Sequence, residues 1–155
     1  MNYEPIYVNI RTTAERGAVY AAIEVILEAL YKKGGDIDKR IETEMPSAIV
    51  LPLKQALMQL PDKSAKTIQT YLEGLGKQLT ILRILSLEIA YDPTEETIAV
   101  LTAWIRESLG NDIIIELSID RSLLGGARIS YEGRYKETNL AMFIEHKMRE
   151  QEIIL

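Results

Sequence analysis

The sequence predicts an α+β protein: an N-terminal helical bundle followed by a C-terminal domain of β-α-β-β-α order with a small sheet. Three observations predict it. Before Leu79 the apolar residues recur with the 3.6-residue period of helices. Ile113–Ile119 alternates as a strand does. Between that strand and an earlier apolar stretch lies a marked helix start, Asp92-Pro93-Thr94-Glu95. The change of character near Leu79 divides the chain into a helical domain, 1–79, and an α/β domain, 80–155.

Thr12 or Thr13 is placed to cap a first helix running to about Lys33. Val19, Ile23, Ile26, Leu27 and Leu30 form its apolar stripe. Ala18, Ala21, Ala22, Val25 and Ala29 widen that stripe, so burial on more than one side is expected. Gly34-Gly35 ends the helix, because glycine accepts left-handed backbone. Asp36 caps a short second helix with Ile37, Ile41 and Met45 on one side, and Pro46 breaks it. A third helix is expected near Pro52 to Leu60. Pro61-Asp62 makes a turn followed by a cap. The fourth helix carries Ile68, Tyr71, Leu72, Leu75 and Leu79 in line. Gly74 and Gly76 weaken it by roughly 1 kcal/mol each relative to alanine.

Leu82–Tyr91 reads as a strand, with the alternative that Ile81–Leu85 prolongs the preceding helix. Asp92 as cap, Pro93 at the first helical position and Glu95 completing a capping box start the next helix. Ile98, Leu101, Ile105 and Leu109 share its apolar side, and Gly110 stops it. In the following strand Ile113, Ile115, Leu117 and Ile119 face one way, with Ile114, Glu116 and Ser118 opposite. Ala127–Tyr131 is a further short strand, turned by Gly133. A last helix is expected from about Thr138, with Leu140, Phe143, Ile144 and Met148 inward. Two helices should then pack on one face of the sheet.

Composition narrows the function. The 155 residues are 47% hydrophobic and 26% charged, enough apolar material for a core. The net charge of −5 argues against nucleic acid, whose binding rests on Lys and Arg neutralising phosphates. No cysteine is present, which excludes disulfides, thiolate nucleophiles and Cys-ligated metal. Met1–Asn9 carries Glu4 and Pro5 where a signal peptide has a basic start and an apolar run. The apolar run Ala48–Leu53 falls far short of the ~20 residues that span a bilayer, so no direct membrane insertion is expected.

No catalytic constellation is visible. His146 is the only histidine, and no nucleophile or orienting carboxylate is identifiable for it; a solvated helix position accounts for it. Glu42/Glu44 and Glu95/Glu96 sit on exposed faces or helix starts, with nothing to tune them as acid–base pairs. No spacing suits a metal, and no cofactor is expected. Gly125-Gly126 lacks the wider glycine pattern and lysine of a phosphate loop; it reads as a tight structural turn letting two strands meet. Arg128, Arg134, Lys136, Lys147 and Arg149 make an ordinary charged surface or a patch for an acidic partner helix. The terminal Ile153-Ile154-Leu155 packs on its own domain or meets a partner.

The stretch Ile119-Asp120-Arg121-Ser122-Leu123-Leu124-Gly125-Gly126-Ala127-Arg128-Ile129 resembles the C-terminal signature of the δ subunit of F-type ATP synthases, the oligomycin-sensitivity-conferring subunit of mitochondria. That signature is a strand ending in Val-Asp, a Ser-Leu-Ile-Gly-Gly-like turn, a short strand and a last helix. The resemblance covers about residues 64–148. Two features depart from it. Lys136-Glu137-Thr138 stands where the family has an aspartate and a serine, and residues 1–79 hold about four helices where the family has six.

The resemblance implies a non-catalytic stator subunit in proton-driven ATP synthesis. It would join the catalytic head to the b-type stalk, on the cytoplasmic or organelle-matrix face of a membrane, and be peripheral through the complex. The helical half would bind N-terminal helices of the α subunits, with Val19, Ile23, Ile26 and Leu30 as candidate contacts. The second half would bind the b-type stalk through Phe143, Ile153, Ile154 and Leu155. A second resemblance is to the E-like peripheral-stalk subunit of V/A-type ATPases, whose head has a similar order and Gly-Gly turn. Those subunits begin with a long charged helix, whereas here Gly34-Gly35, Pro46 and Pro52 interrupt an apolar one. A KH-like nucleic-acid module also mixes three strands with helices. It needs a Gly-x-x-Gly loop between helices, and Gly125-Gly126 lies between strands.

Overall fold

The computed structural model describes residues 1–123, 126–138 and 148–150. They form two compact units. Met1–Ile10 and Ala14–Leu82 make the first; Arg11–Thr13 and Arg83–Leu155 make the second. The protein is mixed helix and sheet, as its α+β periodicities require.

The first unit is helical: α1 (Glu4–Tyr7), α2 (Thr13–Leu30), α3 (Ile37–Glu44), α4 (Ser47–Met58) and α5 (Ala65–Thr80). The single turn α1 was not legible in the sequence, yet it carries the fully buried Ile6. Helix α2 ends at Leu30, short of Lys33, and the chain turns through Gly34 at φ +79°. Gly35 is needed for a different reason. A β-carbon there would sit 2.5 Å from the Ala29 carbonyl oxygen. Asp36 caps α3 as expected, accepting from the Lys39 amide at 3.1 Å. Helix α4 begins right after Pro46, not at Pro52, which lies inside it. An interior proline costs about 3 kcal/mol through a lost backbone bond and a ring clash. The burial of Ile49 and Leu53 on α4 offsets that cost. Ser64 caps α5, and Asp62 accepts from the Ser64 amide at 2.9 Å and the Thr67 hydroxyl at 2.8 Å. Tyr71, Leu72, Leu75 and Leu79 are all buried, as their spacing predicts.

The second unit contains β1 (Arg83–Ile89), α6 (Glu95–Leu109), β2 (Ile113–Ile119), a 3-10 turn (Arg121–Leu123), β3 (Ala127–Tyr131) and β4 (Arg134–Thr138). The strand order is β2-β1-β3-β4. β1 pairs parallel with β2 and antiparallel with β3, and β3 pairs antiparallel with β4. Four differences from the sequence reading have physical causes. Thr94, not Asp92, caps α6, accepting from the Thr97 amide at 3.2 Å; Asp92-Pro93 lies outside the helix. Residues 134–138 form a fourth strand, so the order among the described residues is β-α-β-β-β before the helical residues 148–150. Glu132 and Gly133 have φ of +48° and +74°, the left-handed pair of a two-residue hairpin turn whose twist matches the strands. β2 and β3 do not meet, because β1 lies between them. Ile119 is 47% exposed although it shares the inward parity of Ile113 and Ile115, while Ile114 on the opposite face is buried.

The core of this unit sits between the sheet and α6. Leu85, Leu87, Ile89, Ile113 and Ile115 from the strands meet Leu101 and Ile105 from the helix. Residues 148–150 are helical, and Met148 packs against the same cluster. Thr138, the expected start of the last helix, instead ends β4, paired with Ala127, while Leu140, Phe143 and Ile144 lie outside the described residues. One end of the sheet is fastened by Arg83. Its Nε donates to Asp112 Oδ2 at 2.8 Å and its Nη2 to Asp112 Oδ1 at 2.5 Å. The Leu109 carbonyl and the Tyr131 hydroxyl accept from the same guanidinium, each at 2.6 Å. Gly110, at φ +107°, lets the pair pass, since a β-carbon would stand 3.1 Å from Asp112 Oδ1 and 3.2 Å from Arg83 Nη2.

Candidate functional site

The part of the chain with the most individual character is the connection from β2 to β3 and the sheet face beside it. β2 continues straight into the turn: the Asp120 amide donates to the Ile89 carbonyl at 2.8 Å, one step past the paired strands. Asp120 then folds the chain on itself. Its Oδ1 accepts from the Ser122 amide at 2.9 Å and from the Ser122 hydroxyl at 2.6 Å. Two hydrogen bonds to the ionised form, aided by Arg128, hold this carboxyl below its usual range. Leu123 donates to the Asp120 carbonyl at 3.2 Å, and Gly126 to the Leu123 carbonyl at 2.8 Å. An Asp-x-Ser sequence is what such a turn needs, because the short side chain reaches the amide two residues on.

Arg128 joins the turn to the sheet. Its Nη1 donates to Glu88 Oε2 at 3.0 Å and stands 3.9 Å from Asp120 Oδ2. The guanidinium also lies 5.5 Å from the Tyr135 ring centre, over its face. Ser86 donates to Glu116 at 3.0 Å on the same side. The sheet therefore has one apolar face against α6 and one face bearing a cross-strand polar network. These charges are paired and partly solvated, which favours specificity of contact over binding energy.

The sequence-selected residues distribute as follows. Gly126 sits at the entry to β3, and Gly125 lies outside the described residues. Val19, Ile23 and Ile26 are buried in the first unit, and Leu30 is half-buried. The three buried ones are core residues, so they do not offer a partner-binding face; the expected burial on more than one side is not found, since Ala18, Ala21 and Val25 are exposed and only Ala22 and Ala29 join the buried stripe. Phe143, His146, Ile153, Ile154 and Leu155 lie outside the described residues. The basic patch is divided: Arg128 is engaged on the sheet, Arg134 and Lys136 are exposed on β4, Arg149 is exposed in the helical residues 148–150, and Lys147 lies outside the described residues. Among the described residues no cluster of His, Asp or Glu is placed to hold a metal, and no helix is long and apolar enough to cross a membrane. Sequence reading singled out the two glycines and missed the Asp120–Arg128–Glu88 linkage. The alternation of Glu88 and Arg128 along their strands carried a signal, but only the antiparallel register makes them opposite.

Compared with protein-family models and with curated proteins, the chain matches none significantly.

Proposed function

We propose that the chain is a non-catalytic peripheral-stalk subunit of a rotary ATPase, δ-like, which joins the catalytic head of an F-type ATP synthase to its b-type stalk. The observation that carries this reading is the Ile119–Ile129 stretch. Its Asp and Ser close the turn on each other, and Gly126 delivers the chain into β3. A stator transmits torque, so it needs a firm body and two interfaces rather than a reactive group. The paired polar network on the sheet and the apolar packing behind it supply such a body. With Val19, Ile23 and Ile26 enclosed, the head contact passes to exposed apolar side chains of the first unit. Leu51 and Met58 are 64% and 67% exposed, two helical turns apart on one side of α4. That spacing suits helix-in-groove recognition of an amphipathic α-subunit helix.

The test is to recover the tagged chain from its native source in mild detergent and identify its companions. Recovery of ATPase α, β and b-type subunits is expected, and Leu51→Glu with Met58→Glu should lower head recovery at least tenfold while the thermal midpoint stays unchanged. Recovery of V/A-type stalk subunits would move the assignment to an E-like role. Recovery of RNA, or of no ATPase subunit, would remove the stator reading.

A further inference from the structure

β2 is the outermost strand on its side of the sheet. Its sequence, Ile-Ile-Ile-Glu-Leu-Ser-Ile, is rich in β-branched residues, has one charge and contains neither proline nor glycine. An open edge of that composition is a template for pairing with another chain. In this protein the edge is met by three residues from far away in sequence. Thr12 forms a parallel bridge with Ile115, and the Ile115 amide donates to the Arg11 carbonyl at 2.8 Å. The Arg11 side chain is held in turn by Glu95 in the first turn of α6, at 2.7 Å. Beyond this bridge Glu116, Ser118 and Ile119 are exposed.

We propose that Arg11–Thr13 is an edge guard, a short strand whose pairing at Ile115 keeps β2 from pairing with β2 of a second copy. The register of the prevented pairing follows from the backbone. Amides alternate in direction along a strand. The Ile115 amide points outward, so those of Leu117 and Ile119 do too, while Asp120 points inward to Ile89. An antiparallel pair of β2 strands centred on Glu116 sets two like charges against each other, which is unfavourable. Centring on Leu117 avoids this. Leu117 then faces its own copy, Ile115 faces Ile119, and Glu116 faces Ser118. That register consumes the Ile115 amide, which the guard already occupies. The inference does not depend on the proposed function.

The experiment uses the full chain. Arg11→Glu sets like charge against Glu95, and Thr13→Pro removes the amide after the bridge while remaining acceptable as a first helical residue. Sedimentation velocity should show a monomeric wild type and a dimerising double variant. In the double variant, Ser118→Lys places lysine opposite Glu116 and should tighten the dimer several-fold. Ser118→Glu should weaken it by a similar factor. A dimeric wild type, a folded double variant that stays monomeric, or equal effects of lysine and glutamate at 118 would each overturn the proposal. Should the double variant not fold, hydrogen exchange on the wild type decides. The Ile115 amide should be protected and the Leu117 amide should exchange much faster; equal protection of both in the monomer overturns the guard.

Discussion

The two units use apolar residues differently. In the first, the apolar stripe of Val19, Ile23 and Ile26 is enclosed, and other apolar side chains, such as Val25 on α2 and Leu51 and Met58 on α4, are exposed. In the second, a single sheet separates its chemistry by face: Leu85, Leu87 and Ile89 pack on α6, and on the other side Ser86 bonds Glu116 and Arg128 bonds Glu88. Period 2 assigns a side chain to one of two faces, and one helix then decides which face is the core. Period 3.6 only assigns it to a stripe. Whether neighbours or a partner cover that stripe depends on the packing of several helices. Here the chain itself covers only the stripe of Val19, Ala22, Ile23, Ile26 and Ala29, while Ala18, Ala21 and Val25 beside it stay exposed.

The largest expected effect tests that difference directly. Ile26 is fully buried, so Ile26→Ala should cost about 2–4 kcal/mol in urea unfolding, through lost transfer energy and a residual cavity. A docking residue would instead lose partner binding with stability changed by less than ~0.5 kcal/mol. The second outcome would return the stripe to the role that the sequence suggested.

Tyr71 sharpens the contrast from inside the first unit. The ring packs against Tyr3 with centres 5.0 Å apart, and its buried hydroxyl has no hydrogen-bond partner among the described residues. Burial pushes its pKa up to about 12, from 10.0. The folded state thus disfavours the phenolate. A raised folded value means the contribution is intact below pH 10 and is lost as pH rises towards 12. A displacement from 10.0 to about 12 corresponds to about 2–3 kcal/mol. Tyr71→Phe should therefore equal or exceed the wild type in stability at pH 7, since it removes an unpaired buried group. The wild type should then lose about 2–3 kcal/mol relative to the variant between pH 10 and 12. Parallel alkaline curves for the two proteins would show that the hydroxyl finds water after all.

Local signals were legible where one residue fixes one hydrogen bond. Asp36 caps α3 as its sequence indicates, and the buried positions of α5 follow from spacing alone. The start of α6 was displaced by two residues. Asp92, Pro93 and Thr94 all suit a helix start, and the chain's path out of β1 selects Thr94. Pro52 reads locally as a boundary because an interior proline is unfavourable, and long-range burial of Ile49 and Leu53 outweighs that. The strand β4 was missed since Arg134-Tyr135-Lys136 has no apolar alternation to announce it; the left-handed Glu132-Gly133 turn and pairing with β3 create it. Within the candidate site the Asp-x-Ser turn was visible as a motif. The link from Arg128 to Glu88 was not, because residues forty apart become opposite only through register.

The smallest effects come from two glycines in one helix, which sequence alone treats as equivalent. A β-carbon at Gly76 meets nothing nearer than the Tyr20 ring at 3.8 Å, an ordinary contact. A β-carbon at Gly74 stands 2.0 Å from the Tyr3 hydroxyl. Gly76→Ala should therefore stabilise the protein by up to about 1 kcal/mol, the helix-propensity difference. Gly74→Ala gains the same propensity but must push Tyr3 off its seat against Tyr71, so little or none of the gain should survive. In the Tyr3→Ala background the obstruction is gone, and Gly74→Ala should then stabilise as Gly76→Ala does. Thermal unfolding of the two single variants and the double variant measures this coupling. Equal stabilisation by both alanines in the wild-type background would mean that Tyr3 yields freely, and that α1 is held to the first unit by Ile6 rather than by the tyrosine pair.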